Sequence, residues 1–131
     1  MGIALPCVIP TDDLAGRVIN AAIEVHRTLG PGLLESAYED CLAHEFTLRG
    51  IPHERQKAVS LVYKELTVNR AFRVDLLVDN TLVIEVKCVA SVVPIHAAQL
   101  LTYLKLGHWK VGLLLNFHER RLVDGIKRLS L

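Results

Sequence analysis

The chain has 131 residues, 51% of them hydrophobic and 22% charged, which suits one globular domain with a sizeable core and excludes extended disorder away from the ends. Its longest apolar runs, such as Val111-Gly-Leu-Leu-Leu115, fall far short of the roughly 20 residues a membrane span needs. A formal net charge of +1 is a weak footprint for gripping a long stretch of DNA unaided, so any nucleic-acid binding must draw on a local basic rim, a metal, a second subunit or a partner.

Residues 1–10 lack the basic region and long apolar stretch of a signal peptide and read as a flexible or extended N-terminal arm, so a cytoplasmic protein is expected. Thr11, Asp12 and Asp13 supply capping candidates for a helix in which Leu14, Val18, Ala22, Val25 and Leu29 follow helical spacing, ended by Gly30-Pro31-Gly32. A second helix is predicted from about Leu34 to Arg49, with Leu34, Ala37, Tyr38, Cys41, Leu42 and Phe46 on one side and Gly50 with Pro52 as the stop. Residues 54–63 read as a strand, Lys64-Glu65 as a turn into a second extended segment, and residues 70–78 and 82–89 as further strands. Pro94 opens a third helix that ends at Gly107, and Trp109 to Phe117 reads as a buried strand. The stretch from Arg120 to Leu131 is short and amphipathic. No repeat or linker interrupts this order, so residues 1–131 read as a single α/β domain with a mixed sheet of about four or five strands flanked by helices.

Cys7, Cys41 and Cys88 are an odd number at wide spacing, which points to buried free thiols, with neither a disulfide framework nor a zinc site. The chemistry lies elsewhere. Phe72-Arg-Val-Asp-Leu-Leu-Val78 and Leu82-Val-Ile-Glu-Val-Lys87 are apolar strands that nevertheless carry Asp75, Glu85 and Lys87. Taken singly, each fits a solvated strand face; the apolar residues on either side make the group unusual. Two carboxylates and a lysine on adjacent strands can hold a hard divalent cation and activate a water against a phosphodiester.

Strand parity sets a condition on that site. With a two-residue turn at Asp79-Asn80, Asp75 would face Ile84 and Glu85 would point to the opposite side of the sheet. A loop of odd length, or one β-bulge, would instead bring Asp75 opposite Glu85. On the third helix, Gln99 and Tyr103 stand at i and i+4 on one face, while Leu100, Leu101 and Leu104 serve packing.

Asp75, then Glu85-Val86-Lys87, then Gln99-Leu-Leu-Thr-Tyr103 resembles the D…ExK…QxxxY signature of the PD-(D/E)XK nuclease superfamily, in its branch resembling recombination exonucleases. Gly32-Leu-Leu-Glu35-Ser-Ala-Tyr38 resembles the motif that names the GxxExxY family within it, and Ala21-Ala-Ile-Glu-Val-His-Arg27 and Asp124-Gly-Ile-Lys-Arg128 are similar to that family too. Val74 stands where the superfamily name puts proline. The resemblance implies a restriction-endonuclease-like core and a nuclease that uses Mg²⁺ or Mn²⁺ and leaves a 5′-phosphate.

By this resemblance, Asp75, Glu85 and the backbone carbonyl of Val86 would hold the metal. Lys87 would orient or help deprotonate the attacking water, and Glu35 would add a carboxylate, although a helix N-terminus favours an acidic residue for its own sake. Gln99 and Tyr103 would position the substrate backbone or the lysine. Arg73, two residues before Asp75, is a phosphate-contact candidate or a partner for a carboxylate. His26 and Tyr38 fall in the family motifs; a histidine near a helix C-terminus also suits the dipole. The implied substrate is nucleic acid, DNA ahead of RNA, with no membrane partner and with a homodimer or a larger nuclease complex expected of so small and nearly neutral a chain. Two other readings compete: a catalytically weak or inactive nucleic-acid-binding accessory module, and a purely structural interaction protein.

Overall fold

A computed structural model describes residues 11–131. The N-terminal arm, Cys7 and the capping side chains of Thr11 and Asp12 lie outside the described residues. Helix α1 spans Thr11–Leu29 and buries Leu14, Val18, Ala21, Ala22 and Val25, the stripe that helical spacing anticipates. Helix α2 spans Glu35–Leu48 and buries Tyr38, Glu39, Leu42, Ala43 and Phe46. Its inward stripe is therefore rotated from the predicted one. Leu34 and Cys41 are exposed, which corrects the reading of Cys41 as a buried thiol, and Cys88 is half-buried. The rotation follows Glu39, which turns inward to meet Arg55 and Gln56.

The strands are β1 (His53–Tyr63), β2 (Leu66–Val78), β3 (Leu82–Lys87), β4 (Val111–Asn116) and β5 (Ile126–Ser130), and α3 (Pro94–Gly107) connects β3 to β4. Among the described residues they form one mixed five-stranded sheet in the order β1-β2-β3-β4-β5, in which only β3 and β4 run parallel. That parallel pairing follows from the α3 crossover, because a tight turn can join only antiparallel neighbours. Leu76, Val78, Leu82, Ile84, Val86, Leu113 and Leu115 face α1 and α2, while Val74, Leu77, Val83 and Leu114 face Leu100 and Leu104 of α3. With both faces covered, β3 and β4 read as nearly unbroken apolar runs.

Two predicted boundaries move. The segment after Lys64-Glu65 and the strand from about residue 70 are one strand, β2, because Tyr63 pairs with Leu66 and the ladder continues past an irregularity between Val59 and Leu61. Asn69, Arg70 and Ala71 interrupt the apolar pattern there, and Arg70 has φ 53°. The amphipathic end resolves into a 3-10 turn, Leu122–Gly125, and the edge strand β5.

Gly125 in that turn has a steric reason. A Cβ at this position would stand 2.4 Å from the backbone oxygen of Asn116. Backbone cannot swing aside as a side chain can, so Gly125→Ala should destabilise the fold by about 2–3 kcal/mol. Calorimetry should show the melting temperature falling by roughly 5–15 °C; an unchanged melting temperature would mean that the turn relaxes freely.

Candidate active site

The parity condition is met by the β2–β3 connection. Val78 pairs with Leu82, leaving a three-residue loop in which Asp79 and Asn80 take left-handed backbone angles of 51° and 57°, conformations these two residue types tolerate. Leu77 then pairs with Val83 and Leu76 with Ile84, which aligns Asp75 with Glu85. There the ladder stops. β3 continues beside β4 as far as the pair Lys87 and Asn116, while β2 departs with β1, so the sheet forks at the two carboxylates.

A fork opens backbone N–H groups that a ladder would have satisfied. The two acids satisfy them reciprocally. Asp75 N–H donates to Glu85 Oε2 at 2.9 Å, and Val86 N–H donates to Asp75 Oδ2 at 2.9 Å. The alternation of β2 also slips here, since Val74 and Leu77 pack on the α3 side while Leu76 and Val78 pack on the other. Across from Asp75, Gln56 is skipped in the β1–β2 register and has φ 49°. Strained backbone beside paired acids is a mark of functional sites.

Glu85 is only 5% exposed, and burial, followed by the negative charge of Asp75, pushes its carboxyl up to about 8. Burial likewise raises Asp75, with Glu35 adding to the effect and the Val86 N–H opposing it. A purely structural role for these acids leaves two like charges together in a desolvated fork, an arrangement that a bound cation would relieve. The fit to such an ion rests on the donor chemistry. Among the described residues no group of three or more His, Cys, Asp or Glu side chains is placed to hold a metal. Two carboxylates with a backbone carbonyl nevertheless suit Mg²⁺, which takes oxygen ligands and retains several waters.

The other expected residues fall into two groups. Lys87 is half-buried, and its Nζ donates to Gln99 Oε1 at 3.5 Å, which joins the ExK strand to the α3 pair. Tyr103 stacks on Phe72 with centroids 4.5 Å apart; burial, then Glu85 and Asp75, push its hydroxyl above the ordinary phenol range, placing the ring within their field. Glu35 begins α2 and accepts from the Cys88 N–H at 3.2 Å. Arg73 is exposed on β2, pairs with Ala58 in register, and makes no ion pair with a described carboxylate.

His26 and Tyr38 serve the frame. His26 Nε2 lies 2.7 Å from the Glu119 carbonyl oxygen and its ring approaches Phe117. Tyr38 stacks on Phe117 at 4.6 Å, donates to the Gly30 carbonyl and accepts from the Leu33 N–H. Phe117 N–H in turn donates to the Lys87 carbonyl, so both aromatic contacts end behind the lysine's strand.

Four contributors escaped the sequence reading: Glu39, Arg55, Gln56 and Asn116. Glu39, 8% exposed, accepts from Gln56 Nε2 at 2.6 Å and from Arg55, and Gln56 reaches on to Asp75 Oδ1 at 3.4 Å. Arg55 also pairs with Asp40. Asn116, fully buried, holds both the N–H and the carbonyl of Val89 and so fixes the chain just after Lys87. A polar residue closing an apolar run was the available signal for Asn116; Glu39 offered none, because helix acids are ordinary.

Among the described residues no helix is long and apolar enough to cross a membrane. Comparison with curated proteins and with solved structures gave no match. A family model described as the PD-(D/E)XK nuclease superfamily matches residues 12–129, a span that includes the fork, Lys87 and the α3 residues beside them. The mixed five-stranded sheet flanked by three helices is consistent with the α/β fold of that superfamily, and the chain belongs to the PD-(D/E)XK nuclease superfamily.

Proposed function

We propose that the protein is a metal-dependent nuclease that hydrolyses nucleic-acid phosphodiester bonds at the fork between β2 and β3, with DNA the preferred substrate. The observation that carries this reading is the reciprocal pairing of Asp75 and Glu85 across the strand end, with Lys87 two residues beyond Glu85. Asp75, Glu85 and the Val86 carbonyl would hold Mg²⁺ or Mn²⁺. When bound, such an ion polarises a phosphate oxygen and makes a coordinated water more acidic.

The chain's own groups do the rest. Lys87, steadied by Gln99, presents an ammonium that orients the attacking water and offsets phosphate charge. Tyr103, fixed by its stack on Phe72, offers a hydroxyl to the substrate backbone. Glu35 adds negative charge at the mouth, and Arg73 provides a cation for a neighbouring phosphate. Within the superfamily, the GxxExxY group is the best assignment: Gly32 has φ 101°, Glu35 opens α2, and Tyr38 clamps the loop between them.

The test is a cleavage assay with purified protein on single-stranded, duplex and branched DNA and RNA. Cleavage is expected with Mn²⁺ or Mg²⁺ and should cease in EDTA. No cleavage of any substrate would overturn the stand-alone enzyme in favour of a nucleic-acid-binding accessory module.

A further inference from the structure

Beyond the fork, Lys57–Tyr63 and Leu66–Val74 form a two-stranded ribbon that pairs with no other strand among the described residues. At about 3.3 Å per residue it reaches roughly 25–30 Å from Asp75. A bare ribbon is marginal in water, and this one ends in exposed apolar side chains, Val62 at 68%, Tyr63 at 62% and Leu66 at 61%.

Its charge differs from that of the segment holding α1 and α2. Residues 57–73 hold Lys57, Lys64, Arg70 and Arg73 against the single acid Glu65, whereas residues 11–54 hold three arginines against eight acids. Lys57 has a partner in Glu54, but Lys64, Arg70 and Arg73 pair with no carboxylate among the described residues. Lys64 instead lies 5.3 Å from the centroid of the Tyr63 ring. The net charge of +1 thus conceals a basic arm and an acidic segment around α1 and α2.

We propose that this ribbon is a docking arm for duplex DNA, laying the phosphate backbone along a track that ends at the fork; the inference deepens the nuclease reading and rests on it for the substrate class. Cations stand on both faces of the arm. Lys57 lines a groove of about 710 Å³ shared with Lys105 and His108 at the end of α3. Arg73 lies between Phe72 and Val74, both packed toward α3, and so points to the other side. A two-stranded ribbon fits the major groove, where phosphates flank it on either side, and a single strand would leave one face unused. The apolar tip would meet base edges such as the thymine methyl.

The experiment measures binding of the full chain to a fluorescein-labelled duplex DNA in EDTA, by anisotropy across a salt series. Lys64→Glu with Arg70→Glu should weaken binding by about tenfold or more and flatten the salt dependence by nearly two contacts. Lys105→Glu should weaken it less, and Arg27→Glu with Arg49→Glu, the same charge change on α1 and at the end of α2, should leave it unchanged. Hydrolysis of bis(p-nitrophenyl) phosphate, too small to reach the arm, should be the same in all variants. Unchanged duplex binding in Lys64→Glu/Arg70→Glu would overturn the docking arm whether or not the protein cleaves. An equal loss in Arg27→Glu/Arg49→Glu would reduce the effect to net charge, and tighter binding to phosphatidylserine vesicles than to duplex would assign the arm to a membrane; either overturns the proposal. Ribbon-dependent duplex binding by a protein that cleaves nothing would sustain the arm and remove the nuclease.

Discussion

Lys87→Ala is expected to lower cleavage by about a hundred- to ten-thousandfold, the range for losing a positioned charge in the transition state, while leaving fold and metal affinity nearly intact. The only described side-chain hydrogen bond it abandons is to Gln99, at a long 3.5 Å, and its charge, which lowers Asp75 and Glu85, acts from a half-buried position, so the loss of stability should be small beside the loss of rate. Glu85→Gln should also be inactive, but for a different reason: it removes ligand charge, and Mn²⁺ binding should weaken with it. Its amide oxygen can still accept from the Asp75 N–H, so the fork should keep its shape. Calorimetric titration with Mn²⁺ therefore separates two variants that a cleavage assay cannot. Lys87→Ala retaining wild-type cleavage of any substrate would refute the mechanism even for an active nuclease.

The second large effect concerns pH. Glu85 titrates near 8 in the folded chain, far above an ordinary carboxylate, because burial and Asp75 disfavour its charge. Between those values the folded state binds a proton that the unfolded state has released, so folding stability falls as pH rises through that window. Asp75 shifts in the same direction and adds to the trend. The Glu85 contribution is bounded at on the order of 5 kcal/mol. Without metal, the wild type should melt at a lower temperature at pH about 8.5 than at pH about 5.5, and Glu85→Gln should abolish most of that difference. Added Mg²⁺ should raise the wild-type melting temperature chiefly at the higher pH. If wild type and Glu85→Gln give parallel melting curves across this range, the fork is not the desolvated acid pair described here.

Much of this was legible in the chain. Helical spacing marked α1, Pro94 and Gly107 bounded α3, and uninterrupted apolar runs marked β3 and β4, because burial of a defined face leaves a period in the sequence. Asp75, Glu85 and Lys87 stood out for the same reason, as charges with no packing purpose in apolar strands. Parity alone even stated what the β2–β3 loop must be if the acids were to meet.

Tertiary structure decided the rest. Whether Asp79, Asn80 and Thr81 form an odd loop depends on which of several nearly equivalent hairpin registers lets Leu76, Val78, Leu82 and Ile84 bury together, a comparison no local segment contains. The inward turn of Glu39, and with it the exposure of Cys41, depends on Arg55 and Gln56, which lie 16 and 17 residues away in the chain. The fork itself exists because β3 keeps β4 as its partner while β2 leaves with β1. Composition and periodicity specify which faces are apolar; which backbone groups lose their partners, and so which acids are drawn in to replace them, is settled only when all the strands compete for the same sheet.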